Sequence, residues 1–368
     1  MNRKPITGSS NGQTRHRLPA SMLSTLEVLA IIGICACSDG EDPAQTASAS
    51  SAAGQGGAGG GGDVGGGPAT GGTSSSGGSV NGLEFVAKLE SAPEGLVVRG
   101  DEAYVGLAST GEVMRVDLST GEVTPFGTVE GVDFLLGLEM DESGNVYAAA
   151  ASFLPGNSGV YRIPPEGGVA TLFGSHAELT VPNDLARDDA GNSYVSDSAG
   201  GSVFRIDARG VTEKWLAHDS LAGELDFCEP LGIGTPFPFG VNGVAFSDAT
   251  LYVVNTEKAS VVRIPIAADG SAAPPSVLIQ DCELLAGSDG IEVDSDGSLI
   301  VAVNNSDGLA RVELDGTAAL LVEGPPLESP ASLAIHSVGT GRELIITNYP
   351  DETATGEAGV LRYALPDR

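Results

Sequence analysis

The chain has 368 residues and carries 49 acidic against 18 basic residues, which gives a formal net charge of −31 at pH 7. So acidic a surface repels phosphate backbones and anionic lipid head groups, which argues against nucleic acid as a partner. The composition changes along the chain and divides it into residues 1–37, 38–81 and 82–368.

Residues 1–37 have the pattern of an export signal. A segment with four basic residues precedes the apolar run MLSTLEVLAIIGICAC, which is too short to span a membrane. The run ends in ICAC, residues 34–37, which resembles a bacterial lipobox. Because Ala36 suits the cleavage position, Cys37 is the expected lipidated residue. An ordinary secretory signal with incidental cysteines is the alternative.

Residues 38–81 consist mostly of Gly, Ala, Ser and Thr, as in GQGGAGGGGDVGGG. Such a segment buries too little apolar surface to offset its ordering entropy, so it is predicted to be a disordered tether. Together with the lipobox it predicts an exported bacterial lipoprotein at the outer membrane or in the periplasm, with the cell surface as an alternative. Only the lipid anchor is expected to contact the membrane, and the protein is expected to be a monomer.

A repeat organises residues 82–368. Six segments share the order small residue, apolar residue, any residue, arginine, apolar residue. Their arginines are Arg115, Arg162, Arg205, Arg263, Arg311 and Arg362. The arginines lie 43 to 58 residues apart, which is the length of a four-stranded propeller blade. The sequence therefore predicts an all-β fold, a six-bladed β-propeller with four antiparallel strands in each blade.

Within each repeat, four apolar runs alternate with turns such as DESGN and SDGS, and the arginine falls on the third run. The last repeat has no fourth strand, so residues 83–90, LEFVAKLE, are predicted to supply it and to close the ring. The arginines lie far from the central axis and are predicted to be structural. The turn at residues 294–297 lacks the acidic twelfth residue of a calcium loop, where Asn305 stands, and is predicted to be a tight hairpin.

Polar residues recur where the inner strand of each blade begins. Four of the six equivalent positions carry oxygen ligands, and the other two fall near Leu136 and at Ser332. The four are Glu94, Asn183, Asn242 and Asp289. Each of them alone is an ordinary turn residue. Their recurrence in separate blades predicts one divalent-metal site on the central axis, with calcium favoured because it takes about 6 to 8 oxygen ligands.

The stretches VPNDLARDDAGNSYVSD, VNGVAFSDATLYVVN and SDGIEVDSDGSLIVAV resemble the senescence marker protein, gluconolactonase and luciferin-regenerating enzyme family, over most of residues 90–365. The resemblance implies that Glu94, Asn242 and Asp289 bind one metal ion, calcium or zinc. It also places the pair Asn183-Asp184 near the metal or the substrate. Gluconolactonase-like members have an arginine where Val181 stands, so specificity for sugar lactones is not implied.

The activity that the resemblance implies is hydrolysis of a lactone or related ester. The metal would stabilise charge on the carbonyl oxygen, and Asp289 would act as the catalytic base toward water. The propeller has no G-x-S-x-G motif, which argues against a serine hydrolase. Because a fold alone does not assign an activity, the alternative is a non-catalytic, surface-tethered binding propeller with a structural metal or none.

The connection at residues 226–240, DFCEPLGIGTPFPFG, is long and leads directly to Asn242. Its Phe237 and Phe239 are predicted to line a substrate pocket, or else to form a lid that only seals the channel. Cys228 and Cys282 are the two cysteines of the globular part, and in an exported protein they suggest a disulfide that joins neighbouring loops. A metal-binding or free-thiol role for them stays open.

Overall fold

The structure is a computed structural model that describes residues 81–228, 238–350 and 356–366. The predictions for Cys37 and Phe237 lie outside these residues. The described part contains 25 β-strands and a short 3-10 helix, Asn304–Ser306. No helix in these three ranges is long and apolar enough to cross a membrane.

The strands form six sheets, and we number the resulting blades in chain order. Blade 1 contains β2 (Pro93–Arg99), β3 (Glu102–Leu107), β4 (Glu112–Asp117) and β5 (Val123–Thr128). Blade 2 contains β6 (Phe134–Met140), β7 (Val146–Ala151), β8 (Gly159–Ile163) and β10 (Thr171–Gly174). Blade 3 contains β11 (Pro182–Arg187), β12 (Ser193–Asp197), β13 (Ser202–Ile206) and β14 (Thr212–Ala217). The two-residue strand β9 (Gly168–Val169) pairs in parallel with β5 and so links blades 1 and 2.

The remaining blades repeat the same antiparallel order. Blade 4 contains β15 (Val241–Ser247), β16 (Thr250–Asn255), β17 (Ser260–Pro265) and β18 (Ser276–Gln280). Blade 5 contains β19 (Ser288–Val293), β20 (Leu299–Val303), β21 (Gly308–Val312) and β22 (Ala318–Glu323). Blade 6 contains β23 (Pro330–Val338), β24 (Gly341–Asn348), β25 (Gly359–Ala364) and β1 (Leu83–Lys88), the last pairing antiparallel with β25. The prediction of a six-bladed propeller is confirmed.

The core lies between neighbouring blades. Each inner strand contacts the inner strand of the next blade, and β23 of blade 6 contacts β2 of blade 1. Apolar side chains of adjacent sheets pack together, as Leu96 and Val105 of blade 1 do in one cluster with Ile345 and Val360 of blade 6. Burying such aliphatic side chains stabilises the fold by about 1.5–3 kcal/mol each. The packing therefore holds the six inner strands at fixed positions around the central channel.

The repeated arginines lie on the third strand of each blade, and several of them join elements. Arg205 of blade 3 donates to the carbonyl oxygen of Gly270 in blade 4 at 2.9 Å. Arg362 of blade 6 donates to the carbonyl oxygen of Leu118, next to blade 1. These contacts agree with the structural role expected from the sequence.

The hairpin turns between the first and second strands of blades 2, 3 and 5 have a common geometry. In blade 2, Asp141 accepts hydrogen bonds from the backbone N–H of Asn145 at 2.9 Å and from its side-chain amide at 2.7 Å. Gly144 has a φ of +88°, a backbone conformation that favours glycine. At the turn predicted not to be a calcium loop, the N–H of Gly297 donates to the carbonyl of Asp294 at 2.8 Å. These segments are tight turns, as predicted.

Candidate metal and active site

Every inner strand contains a β-bulge at its channel-mouth end. The register shifts so that two residues of the inner strand oppose one residue of its partner. The first bulge residues of blades 1 to 6 are Glu94, Leu136, Asn183, Asn242, Asp289 and Ala331. The four predicted oxygen ligands thus occupy equivalent points of the ring. They lie within the strands rather than just before them.

The second bulge residue is glycine in four blades because the inner strands approach too closely for a side chain. A Cβ at Gly95 would lie 2.1 Å from the carbonyl oxygen of Leu136, and one at Gly243 would lie 2.2 Å from that of Asp289. The exceptions are Asp184 and Ser332. Ser332 was predicted to be equivalent to the four oxygen ligands, and this is wrong, because the pairing of β23 with β24 makes Ala331 the first bulge residue and Ser332 the second.

The side chain of Asp184 contacts the inner strands of both neighbouring blades. Its Oδ2 accepts the backbone N–H of Val244 in blade 4 at 2.9 Å. Its Oδ1 lies against Gly137 of blade 2, where an added Cβ would approach to 2.3 Å. A carboxylate therefore lies beside the predicted ligands, at a point where four other blades have glycine and blade 6 has Ser332.

Three of the predicted ligands have buried oxygens without a hydrogen-bond partner in the described part of the chain. They are Oε2 of Glu94, Oδ1 of Asn183 and Oδ1 of Asn242. The amide nitrogens, in contrast, are bonded. Asn183 Nδ2 donates to Ser198 Oγ at 3.0 Å, and Asn242 Nδ2 donates to Thr256 Oγ1 at 3.2 Å. Unpaired acceptors from three blades are thus available to a cation at the channel mouth.

Neighbouring carboxyl groups at the channel mouth raise the pKa values of Glu94 and Asp289. Burial and the charges of Asp289 and Asp184 raise the pKa of Glu94 well above its usual value. Burial and the charge of Asp184 raise the pKa of Asp289 to about 7, although hydrogen bonds from Asn242 and Asn304 oppose the shift. Burial raises the pKa of Asp184 to about 6. Three carboxyl groups whose ionised forms repel one another are the surroundings in which a divalent cation is stabilised.

Two further glutamates, which were not among the predicted site residues, lie deeper along the inner strands. Glu139 and Glu292 each lie three residues after the first bulge residue, in blades 2 and 5, which are opposite each other in the ring. Burial raises the pKa of Glu139 to about 7, and burial with the charges of Glu139 and Asp184 raises the pKa of Glu292 to about 8. The signal was readable in GLEMD and GIEVD, where a glutamate stands at the same distance after glycine.

The donor set fits a cation that prefers oxygen. Among the described residues, no group of three or more His, Cys, Asp or Glu side chains is arranged to hold a metal ion. The bulge positions instead combine two carboxylates, Glu94 and Asp289, with two amides, Asn183 and Asn242. Carboxylate and amide oxygens are calcium ligands. The three unpaired acceptor oxygens are the observation that makes these residues suitable for such an ion.

The rim of the mouth is asymmetric. Leu136, Ala151 and Val181 form a buried apolar cluster against which Phe134 packs. Phe134 also makes an edge-to-face contact with Phe153, with the ring centroids 5.7 Å apart. The blade 2 side of the mouth is therefore apolar, and Val181, the residue at which the sequence departs from gluconolactonase-like members, is part of it.

The loops near blades 4 and 5 are joined by the predicted disulfide, Cys228–Cys282, whose Cα atoms are 5.4 Å apart. Phe239 is buried, and its carbonyl oxygen accepts the N–H of Glu257 at 3.4 Å. Phe239 therefore packs below the surface next to Asn242. Whether it lines a pocket or seals the channel stays a prediction.

Comparison with known proteins supports this architecture. Residues 239–349 match the family model described as SMP-30/Gluconolactonase/LRE-like region, a range that contains Asn242 and Asp289. No curated protein matches the chain significantly.

Solved structures share the fold at low sequence identity. Regucalcin from Agrobacterium tumefaciens, a calcium-binding protein, has a TM-score of 0.60 and 17% identity, covering 77% of this chain and 94% of its own. A luciferin-regenerating enzyme has a TM-score of 0.58 and 16% identity, covering 76% and 94%. A gluconolactonase from Xanthomonas campestris has a TM-score of 0.57 and 18% identity, covering 77% and 89%. The resemblance inferred from the sequence is confirmed by the family match in residues 239–349 and by these neighbours in fold.

Proposed function

We propose that this protein hydrolyses a lactone or related ester at a divalent-metal site in the channel mouth, with calcium as the preferred ion. The observation that carries the proposal is the set of three buried, unpaired acceptor oxygens on Glu94, Asn183 and Asn242, at equivalent bulges of three blades. Leaving a buried acceptor unpaired costs about 1–3 kcal/mol. A cation that accepts their lone pairs removes this cost.

Glu94, Asn242 and Asp289 would hold the ion, with Asn183 beside them. When bound, the metal supplies a Lewis acid that polarises the substrate carbonyl. Asp289 would take a proton from the attacking water, because its carboxylate lies at the same channel mouth as the other ligands. The unpaired Oδ1 of Asn183 would contact the ion and orient the substrate or the water beside it, because Ser198 holds the nitrogen end of the amide.

The substrate class follows from the asymmetric rim. Phe134 and Phe153 are only partly buried, and they extend the apolar surface of Leu136 and Val181 toward solvent. A substrate whose carbonyl reaches the ion would place its remaining groups against this side. We therefore expect lactones or esters with an aromatic or alkyl substituent to react faster than polyhydroxylated sugar lactones.

The test combines binding with catalysis on the full chain. Calcium binding is measured by isothermal titration calorimetry, and hydrolysis is assayed with gluconolactone, an aromatic lactone and aryl esters. We expect one ion per chain, faster hydrolysis of the aromatic lactone, and a loss of at least about 100-fold in kcat for Asp289→Asn. The matched control is Asp315→Asn, at an exposed turn of blade 5.

Each outcome of this test has a separate meaning. Undiminished activity of Asp289→Asn would overturn the assigned base. Absence of calcium and zinc binding would overturn the metal site. Binding without hydrolysis of any lactone or ester would favour the non-catalytic, surface-tethered binding propeller.

Export and anchoring are part of the proposal. The basic segment, the apolar run and the lipobox-like ICAC support export and lipidation of Cys37, and residues 38–81 would then tether the propeller to the membrane. Labelling with tritiated palmitate in a bacterial host tests this. Cys37→Ala should abolish the label, while the control Cys35→Ala should retain it. A labelled Cys37→Ala protein would contradict the anchor.

A further inference from the structure

Ser198 and Thr256 occupy equivalent places in blades 3 and 4. Each directly follows the second strand of its blade, β12 or β16, and each side chain is buried. Each hydroxyl lies between the inner strand of its own blade and the inner strand of the next. Neither residue was singled out by the sequence analysis.

Each hydroxyl donates its proton to a backbone carbonyl oxygen of the next blade. Ser198 Oγ donates to the carbonyl oxygen of Val241 at 2.7 Å, and Thr256 Oγ1 donates to that of Ser288 at 2.8 Å. A carbonyl oxygen can only accept, and a hydroxyl has a single proton. Both hydroxyl oxygens can therefore offer only a lone pair to the amide of their own blade.

This commitment determines which way the two amides face. The amide of Asn183 must present its NH₂ group to Ser198, and the amide of Asn242 must present its NH₂ group to Thr256, as the 3.0 and 3.2 Å contacts show. The amide oxygens are then directed away from these hydroxyls, and they are the two that have no partner in the described residues. The orientation that suits a cation thus results from Ser198 for Asn183, and from Thr256 together with the Asp289 carboxylate for Asn242.

The chain of bonds also connects the blades. The acceptors of the two hydroxyls, Val241 and Ser288, immediately precede Asn242 and Asp289. Blade 5 carries an amide, Asn304, at the equivalent place, and its hydrogen bond reaches Asp289, whose ionised carboxylate can only accept. In blades 3 to 5 the residue after the second strand therefore matches its ligand: a hydroxyl oxygen accepts from each amide ligand, and an amide donates to the carboxylate ligand.

We propose that Ser198 and Thr256 are positioning residues, which fix the amide oxygens of Asn183 and Asn242 toward a bound divalent cation and so set its affinity. The inference rests on the proposed function, because it requires a cation at this site. Removal of outer partners that orient metal ligands typically lowers metal affinity about 10- to 100-fold. Asp289 also accepts from the Asn242 amide, but its carboxylate is needed at the cation, whereas the Thr256 hydroxyl is not.

The experiment measures calcium affinity of the full chain by isothermal titration calorimetry. Thr256→Val keeps the shape and removes the hydroxyl, and Thr256→Ser restores it. Ser198→Ala and Ser198→Thr form the second pair, which serves if Thr256→Val does not fold. We expect about tenfold weaker calcium binding for Thr256→Val and for Ser198→Ala, and near wild-type affinity for the two hydroxyl-retaining variants.

A double mutant separates orientation from general destabilisation. In an Asn242→Asp background the ligand has two equivalent oxygens, so its orientation no longer matters, and Thr256→Val should then change calcium affinity less than twofold. An equal loss in both backgrounds, or wild-type affinity in both hydroxyl-removing variants, would overturn the inference alone. Failure of the wild-type protein to bind calcium or zinc would overturn the proposed metal site and the inference with it.

Discussion

Glu292 makes the metal-free protein less stable as the pH rises, and Glu292→Gln is expected to remove this effect. The carboxyl group lies on the inner strand of blade 5, where its Oε1 accepts the N–H of Val293 at 3.0 Å. Burial, together with the charges of Glu139 and Asp184, raises its pKa from 4.5 to about 8. Glutamine can accept the same hydrogen bond but carries no charge at any of these pH values.

The sign follows from proton linkage. Below the unfolded pKa of 4.5, Glu292 is protonated in both states and contributes no pH dependence. Between that value and about 8 the folded state binds more protons than the unfolded state, so the free energy of unfolding falls as the pH rises. A complete shift of this size, at 1.36 kcal/mol per pKa unit, corresponds to roughly 5 kcal/mol. Because this side chain is partly exposed to solvent, we expect about 2–3 kcal/mol.

Urea unfolding of the full chain in EDTA, at pH 5 and pH 8, measures this difference. The wild-type protein should lose more unfolding free energy across this range than Glu292→Gln, by about 2–3 kcal/mol. Glu323→Gln, an exposed position in the same blade, is the matched control and should follow the wild type. Equal slopes for the wild type and Glu292→Gln would refute an elevated pKa at this position.

Three further predictions concern the ion, the bulge and the disulfide. Calcium binding should weaken as the pH falls below about 7, because the pKa values of Asp289 and Glu94 are raised and the protonated acids cannot bind the ion. Calorimetry in two buffers of different ionisation enthalpy should detect the release of protons on binding. Gly243→Ala should destabilise the protein by about 1–3 kcal/mol in thermal melts, because its Cβ would lie 2.2 Å from the Asp289 carbonyl oxygen. The control Gly341→Ala should be tolerated, because the atom nearest to its Cβ would be 3.6 Å away. Replacing both Cys228 and Cys282 by serine should lower the free energy of unfolding by about 2–4 kcal/mol, and an unchanged urea midpoint would show that the bond does not constrain the chain.

The fold could be predicted because the repeated sequence pattern identifies the blades. A period close to 50 residues, with arginine at one point of each unit, leaves few architectures other than blades around an axis. Glu94, Asn183, Asn242 and Asp289 could be aligned from the same period. The error at Ser332 arose because blade 6 has no polar residue at the equivalent point, so that the neighbouring serine was aligned with the ligands, whereas the strand pairing places Ala331 there.

The rest of the site depends on contacts between blades that a linear pattern does not contain. Ser198 and Thr256 are ordinary residues in SDSAG and VNTEK, and they acquire a role only because the next inner strand passes beside them. Glu139 and Glu292 stand in strands that otherwise read as apolar. Their interaction arises because blades 2 and 5 are opposite, which follows from closing the ring and not from either strand alone.

The asymmetry of the mouth gives the site a direction. Oxygen ligands occur in blades 1, 3, 4 and 5, while the same bulge point holds Leu136 in blade 2 and Ala331 in blade 6. Neither side chain can bind a cation, so any ion is held by an incomplete ring. Beside Leu136 in blade 2, the apolar surface extends outward over Val181, Phe134 and Phe153. In blade 6 the equivalent point carries only the methyl group of Ala331. A substrate that completes the coordination would therefore extend across blade 2, where apolar groups gain from burial and hydroxyl groups would lose their hydrogen bonds to water.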